Sequence, residues 1–517
     1  MKKIKILWTD DEIDLLKPHI LFLNEKGYEV ITASNGDDAV SLVNQHVFDL
    51  MFLDEHMSGL SGLETLNIIK SRHPSLPVIM ITKSEEENIM DAALGSKIAD
   101  YLIKPVNPNQ ILLSIKKNID TKRLITRETT SAYQSEFSKI SMQINAASTY
   151  NDWEEIYRKL VYWELELEES EDSSMSEVLQ MQKNDANTGF GKFVKSNYSS
   201  WFSIGETNRP LLSPNVFSNK VFPLADQGEK VIIVLIDNLR LDQWRILMPI
   251  LTDYFVMEEE GMYCSILPTA TQYARNSMFA GLMPKEIDNI SPDLWLNDDE
   301  EGGKNQKEEE LLQKHLIRVG KKYKMYYQKI LNSRYSKKVV DNFSTLLNYD
   351  LVVLVYNFVD MLSHANTEME MIRELAGNDA AYRSLTLSWF QHSYLLDLVK
   401  LLAERNVKLI ITTDHGSIRV NNPVKVIGDK KTSTNLRYKT GKNLNYNPKE
   451  VFDIKDPADV HLPRLNVSSR YIFASGTDFF AYPNNYNHYV NYYRNTFQHG
   501  GISMEEMMIP IITLRPK

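Results

Sequence analysis

The chain has one cysteine, Cys264, in 517 residues. A single thiol excludes an internal disulfide framework and any thiolate metal cluster, and it points to a reducing, cytoplasmic setting. Long apolar runs are missing too: none approaches the ~20 residues that a membrane helix needs. The start, Met1 to Trp8, is basic and then apolar, as in a signal peptide. That run stops at Asp10-Asp11, too soon for a secretory core. There is no basic excess. Net charge is −10, from 58 Lys/Arg against 68 Asp/Glu. Residues 1–119 carry 12 Lys/Arg and 17 Asp/Glu, residues 120–206 carry 9 and 15, and the remainder is near neutral. A reader of DNA needs a positive face to displace counterions. The acidic 120–206 stretch does not supply one, so no sequence-specific DNA binding is expected.

What is present suggests about three domains, because 517 residues exceed what one core serves. Over residues 1–119 the pattern alternates strand and helix. Strand-like runs are Lys5–Thr9, Glu29–Ala33, Phe48–Leu53, Pro77–Thr82 and Tyr101–Lys104. Helical spacing runs from Ile13 to Lys26 and from Asp37 to Gln45. This predicts an α/β fold with a parallel sheet, whose chemistry gathers at the carboxyl ends of the strands. Those ends carry Asp10, Asp11, Asp54, Thr82 and Lys104. Any one of these acids reads as a helix cap or a loop charge. Together they attract a hard cation such as Mg²⁺, and a metal with an ammonium would neutralise a phosphoryl group arriving on a carboxylate.

Trp8-Thr-Asp10-Asp11-Glu12, Leu53-Asp54-Glu-His56-Met-Ser-Gly59, Ile81-Thr82 and Asp100-Tyr-Leu-Ile-Lys104-Pro105 resemble the response-regulator receiver domain, a flavodoxin-like five-stranded fold. The resemblance implies that Asp54 is phosphorylated by a sensor histidine kinase. It also implies that Asp10, Asp11, Asp54 and the His56 carbonyl hold Mg²⁺. Thr82 and Tyr101 are then the switch pair, Lys104 binds phosphate, and the Lys104-Pro105 bond is cis in many members. Lys83 stands where the family usually has a small residue.

Residues 120–206 change to helical periodicity, predicting a small bundle that connects the two ends. Phe137, Ile140, Ile144 and Ala147 form one stripe, and Trp153, Ile156, Tyr157, Leu160, Trp163 and Leu167 form another. The aromatic stripe is either bundle core or a docking face. Asn151 with Glu154 reads as a capping box, Glu164–Asp172 as a solvated acidic run, and a third helix starts near Ser176.

In residues 207–517 three apolar strands end in metal-binding types. Lys230–Ile236 ends in Asp237, Asp350–Asn357 leads to Asp360 and His364, and Val407–Thr413 ends in Asp414-His415-Gly416. Parallel strands would set these along one sheet edge. Asp360 and His364 are four apart, so one helical turn aims both at one ion. Mixed imidazole and carboxylate ligation favours Zn²⁺ or a similar metal, and the donors are too many for one tetrahedral ion. Gln498-His499-Gly-Gly501 follows near the end.

This set resembles the alkaline phosphatase superfamily, its PglZ branch in particular. The resemblance implies that Asp360, His364 and His499 hold one zinc and that Asp237, Asp414 and His415 hold the other. Thr271, in Pro268-Thr-Ala-Thr271-Gln, is the implied nucleophile and also a ligand of the second ion. Thr269 is the structural neighbour. A Thr nucleophile leans toward phosphodiesters, with Arg275 and Asn276 as candidates for holding the non-bridging oxygens. Residues 425–449 carry seven Lys/Arg against Asp429. They form either a solvated loop or a basic lid for an oligonucleotide, with Lys430, Lys431, Arg437 and Lys439 at its centre.

All three parts together resemble the PorX family of response regulators, associated with type IX secretion in the Bacteroidetes. That resemblance implies a sigma-factor-type partner and a phosphorylation-dependent homodimer. Two readings follow: a signal-controlled zinc phosphodiesterase acting on (oligo)nucleotides, or a scaffold whose metals are structural and whose partner surface is exposed by phosphorylation. A scaffold needs no nucleophile, and Thr271 therefore favours the enzyme.

Overall fold

The computed structural model describes residues 4–517 except 75, 84–97, 170–172, 204, 206–208, 299, 301, 429–431, 465 and 467. At residues 119–128 and 173–174 it describes the backbone alone. Two compact units separate, Met1–Gln134 and Ser135–Glu169 with Ser173–Lys517.

In the first unit, β1 (Lys5–Thr9), β2 (Glu29–Ala33), β3 (Leu50–Asp54), β4 (Val78–Thr82) and β5 (Asp100–Ile103) form a sheet in the order β2-β1-β3-β4-β5. Every pairing is parallel. β3 and β4 are buried along their whole length, as continuous apolar strands covered on both faces must be. The helical run from Ile13 is split into a 3₁₀ turn, Ile13–Leu16, and an α-helix, Lys17–Glu25. Pro18 near the start of that helix is the cause, since its ring cannot sit deeper inside an α-helix. Asn35 caps the next helix, Gly36–Gln45, accepting from Asp38 N at 2.8 Å.

Helices Thr121–Ala146, Tyr150–Glu169 and Ser173–Asn197 form the middle of the chain, and the unit division falls within the first. The cap of the second is Thr149, not Asn151. Asp152 N donates to Thr149 Oγ1 at 3.2 Å, and Thr149 N donates back to Asp152 Oδ2 at 2.8 Å. A hydroxyl facing a carboxylate three residues on closes the box that Asn151 and Glu154 do not. The Trp153–Leu167 stripe is buried, with Trp153 edge-on to Phe190 at 5.8 Å. It is core.

The second unit's main sheet contains β6 (Val231–Ile236), β7 (Phe255–Cys264), β8 (Met325–Ile330), β9 (Leu351–Tyr356) and β10 (Lys408–Thr412), with the terminal strand Met508–Pro516. Their order is β7, Met508–Pro516, β10, β6, β9, β8. The β10–β6, β6–β9 and β8–β9 pairs are parallel, whereas the terminal strand runs antiparallel to both neighbours. The sheet is mixed, and the three strands that read as parallel are its centre. Asp237, Asp414 and the helix carrying Asp360 therefore follow adjacent strands. None of the described helices is long and apolar enough to cross a membrane.

Candidate functional site

At the strand ends of the first unit, Lys104 Nζ lies 2.8 Å from Asp10 Oδ2 and 3.0 Å from Asp54 Oδ1. Asp10 and Asp54 are buried and Asp11 is exposed, and ligand oxygens of all three lie within 4.8 Å of one another. Burial pushes the Asp54 carboxyl above its ordinary range, and the Lys104 ammonium works against that. Three carboxylates so placed would suit a hard divalent cation such as Mg²⁺. Thr82 ends β4 and is buried, Tyr101 in β5 is half-buried, and the His56 side chain is exposed. Lys83 pairs with Glu12 at 3.0 Å. Lys104-Pro105 is cis.

The second site draws on four places in the fold. Asp237 follows β6, and Asp414 and His415 follow β10. Asp360 and His364 sit on helix Phe358–Glu368, and His499 follows the short strand Phe497–Gln498. Asp360 Oδ2 is 3.6 Å from His364 Nε2, and Asp360 Oδ1 is 3.8 Å from His499 Nε2. His415 Nε2 is 3.8 Å from Asp237 Oδ1 and 3.6 Å from Asp414 Oδ2. In each trio, ligand atoms lie within 4.8 Å of one another. The rings of His415 and His499 stack at 4.3 Å, which makes the trios neighbours. Asp237, Asp414 and His415 are buried, while His364 is exposed.

These residues fit metal ions. Asp237 Oδ1 is buried and has no hydrogen-bond partner among the described residues, an arrangement that is costly unless a cation faces it. Both donor sets mix imidazole and carboxylate, as zinc prefers. Burial, with His415 beside it, pushes the His499 pKa down to about 3, keeping the ring in the neutral form that binds metal. His499 Nδ1 lies 3.1 Å from Thr269 O, a bond that orients the other nitrogen inward. Thr269 is structural: its hydroxyl donates to Gly501 O and accepts from Gly500 N, both at 3.0 Å. Gly500 has φ +121°, which a side chain would rarely adopt.

Thr271 is the first residue of helix Thr271–Ala280. Its Oγ1 lies 3.1 Å from His415 Nε2. The hydroxyl thus stands at the buried trio and at a helix N-terminus, whose amides favour anions.

The expectation for Arg275 and Asn276 is overturned. Arg275 is fully buried and pairs with Asp237, with Asp414 at 3.1 Å and with Glu308 at 3.2 Å. Asn276 Nδ2 donates to Lys304 O at 3.0 Å. A guanidinium locked between carboxylates fixes their orientation and cannot reach a substrate. Asn357 Nδ2 donates to Asp237 Oδ2 at 3.2 Å, and Asn238 Nδ2 to Ser363 Oγ at 3.1 Å. Their only sequence signal is their place at or just after a strand end.

The basic lid is overturned as well, as far as it is described; Lys430 and Lys431 lie outside the described residues. Arg437 is buried against Glu506, with bonds of 3.1 and 2.6 Å. Lys439 is buried, donating to Ser433 O at 2.8 Å. The segment does reach the site, through other atoms. Ser433, Thr434, Asn435 and Tyr438, with Lys304 and Gln498, line a cavity of about 640 Å³ that opens onto His364 and His499.

Known proteins match in three stretches. Residues 216–514 match the family model of the BREX system PglZ alkaline phosphatase-like domain, residues 123–202 that of the PorX response regulator linker domain, and residues 6–116 that of the response regulator receiver domain. The alginate biosynthesis transcriptional regulatory protein AlgB of Pseudomonas aeruginosa is 32% identical over 126 residues, 24% of this chain and 28% of that one. The transcriptional regulatory protein ZraR of Klebsiella oxytoca is 32% identical over 139 residues, 27% of this chain and 31% of that one. The chain thus spans under a third of the length of these curated relatives. The chemotaxis protein CheY4 of Vibrio cholerae, a solved structure, is 25% identical, with TM-score 0.22, covering 23% of this chain and 99% of that one. The chain belongs to the PglZ alkaline phosphatase-like family, in the receiver, linker and PglZ arrangement of the PorX response regulators.

Proposed function

We propose that this chain is a cytoplasmic two-component response regulator whose output is a two-zinc phosphodiesterase. A sensor histidine kinase phosphorylates Asp54, with Mg²⁺ held by Asp10, Asp11, Asp54 and the His56 carbonyl, and Lys104 binds the new phosphoryl group. Thr82 and Tyr101 respond to it. In the output site, Asp360, His364 and His499 hold one zinc, and Asp237, Asp414, His415 and Thr271 hold the other. The substrates are (oligo)nucleotide diesters. The likeness to PorX response regulators supports a role in type IX secretion, a sigma-factor-type partner and a phosphorylation-dependent homodimer.

The observation that carries this reading is Thr271 Oγ1 at 3.1 Å from His415 Nε2, beside two abutting ligand trios. Bound zinc would supply Lewis acidity to the hydroxyl and to the phosphate oxygens. Thr271 then attacks phosphorus, its Oγ–P bond forming as the ester P–O bond breaks and its hydroxyl proton passing, by way of solvent, to the departing alcohol; water later hydrolyses the phosphothreonine and restores the hydroxyl. The cavity beyond His364 and His499 gives the second ester substituent a place, which supports diesters over monoesters.

Replacement of Thr271 tests this. With zinc present, Thr271→Ala should turn over bis(p-nitrophenyl) phosphate at least ~10³-fold more slowly than the unaltered chain. Equal rates would assign the activity to another site.

A further inference from the structure

Outside the two sites, a buried charge cluster joins the middle helices to the PglZ-matched stretch. Glu164, Asp242 and Asp379 could hold a metal by spacing alone, but cations already occupy their centre. Arg240 lies 2.6 Å from Asp242 and 2.7 Å from Asp379. Arg383 lies 2.8 Å from both Glu164 and Asp242, and Lys183 is 2.7 Å from Glu164. This is an ion network. Its far end leads to the catalytic strand ends.

Lys183 and Asn187 are four apart on helix Ser173–Asn197, and so share one face. Both reach Glu505. Asn187 Nδ2 donates to Glu505 Oε2 at 3.0 Å, and Asn187 Oδ1 accepts from Met504 N at 2.9 Å. Lys183 Nζ lies 3.8 Å from Glu505 Oε1. Glu505 in turn supports the ligand turn. A Cβ at Gly416 would lie 2.1 Å from Glu505 O, so the backbone after His415 is pressed onto residue 505. Gly416 N donates to Glu506 O at 3.3 Å, and Glu506 Oε1 accepts from Gly501 N at 2.8 Å. The turns bearing His415 and His499 therefore rest on the 504–506 segment. That segment is tied at its side chain and its backbone by one asparagine from outside the PglZ-matched residues.

We propose that Asn187 is a positioning residue for the phosphate-ester site. Supported by Lys183, it fixes the 504–506 segment, and through it the Asp414-His415-Gly416 turn that presents the buried ligand trio to Thr271. The linker helices are thus part of the output site's frame. This rests on the hydrolase reading above. Gln182, on the same helix, faces the bundle instead, donating to Phe137 O at 2.9 Å and to Ser141 Oγ at 2.8 Å. It is the control.

The test uses the full chain with Asn187→Ala and Gln182→Ala. One measurement is calorimetric titration of Zn²⁺ into metal-free protein; the other is kcat and KM for bis(p-nitrophenyl) phosphate. Loss of a residue that orients metal ligands weakens metal binding by about 10–100-fold. Asn187→Ala should therefore weaken one zinc-binding step by about tenfold and lower kcat with KM within about twofold. Gln182→Ala should change neither. If Asn187→Ala does not fold, Asn187→Ser replaces it and should show the same zinc effect in smaller measure. Zinc binding equal to that of Gln182→Ala overturns the proposal. Should the unaltered chain bind zinc yet hydrolyse no diester, the hydrolase reading falls, and the titration still decides the role of Asn187.

Discussion

Lys439 is 2% exposed, and burial pushes its pKa from 10.5 down to about 7. Its Nζ lies 5.0 Å from the Tyr482 ring. The sign of the resulting pH effect is fixed. Between about 7 and 10.5 the unfolded chain binds one more proton than the folded one, so stability rises with pH across that window. Below about 7 the full cost of burying the charge is present. Lys439→Met should thus stabilise the chain most near pH 6.5 and progressively less toward pH 10, at about 1.4 kcal/mol per pH unit inside the window. Urea unfolding at several pH values measures this, and a pH-independent difference would contradict it. The sequence could not show this burial. A run of lysines and arginines reads as solvated until the partner is known, and Arg437 finds Glu506 69 positions away. Arg275 was hidden in the same way. Its carboxylates follow two separate strands and start a helix, so its residue type suggested phosphate while its surroundings make it a clamp on Asp237 and Asp414.

Elements were legible in proportion to their burial. β6, β9 and β10 are central strands, read from largely apolar runs with an acid within four residues of each end: Asp237, Asp360 and Asp414. The sheet edges were not legible. β7 contains Glu258, Glu259 and Glu260, and β8 is half-exposed along most of its length; an edge strand needs no apolar run. The two middle helices Tyr150–Glu169 and Ser173–Asn197 raise a sharper question, because their closeness depends on one missing side chain. A Cβ at Gly189 would lie 2.6 Å from Trp153 Cη2, and Trp153 is itself 2% exposed. Alanine gains about 1 kcal/mol of helix propensity over glycine, but overpacking a rigid core costs about 1–3 kcal/mol. The clash should win. Gly189→Ala is expected to lower stability by up to about 2 kcal/mol in denaturant melts, and a stabilised variant would mean that the helices have room to separate.

At the scale of the whole molecule, the sequence separates an input site from an output site by changes in periodicity and charge. The proposed input is a buried Asp54 whose nearest cation, Lys104, it shares with Asp10. An aspartyl phosphate carries about two negative charges where the carboxylate carried one, on a chain already at −10. Non-specific electrostatics would then drive copies apart. At about 0.15 M salt the screening length is ~8 Å, so this repulsion is weak and a complementary surface can outweigh it. If phosphorylation does assemble a homodimer, beryllofluoride with Mg²⁺ should double the mass measured by light scattering at that salt concentration. Asp54→Ala should stay at the monomer mass under the same conditions. An unchanged mass in the unaltered chain would remove dimerisation from the mechanism, and a doubling that persists in Asp54→Ala would remove Asp54 as its trigger. Measuring kcat in the same samples separates assembly from activation. A rate that rises with mass ties the output to the dimer, whereas a rate that rises without it requires a path to Thr271 within one chain.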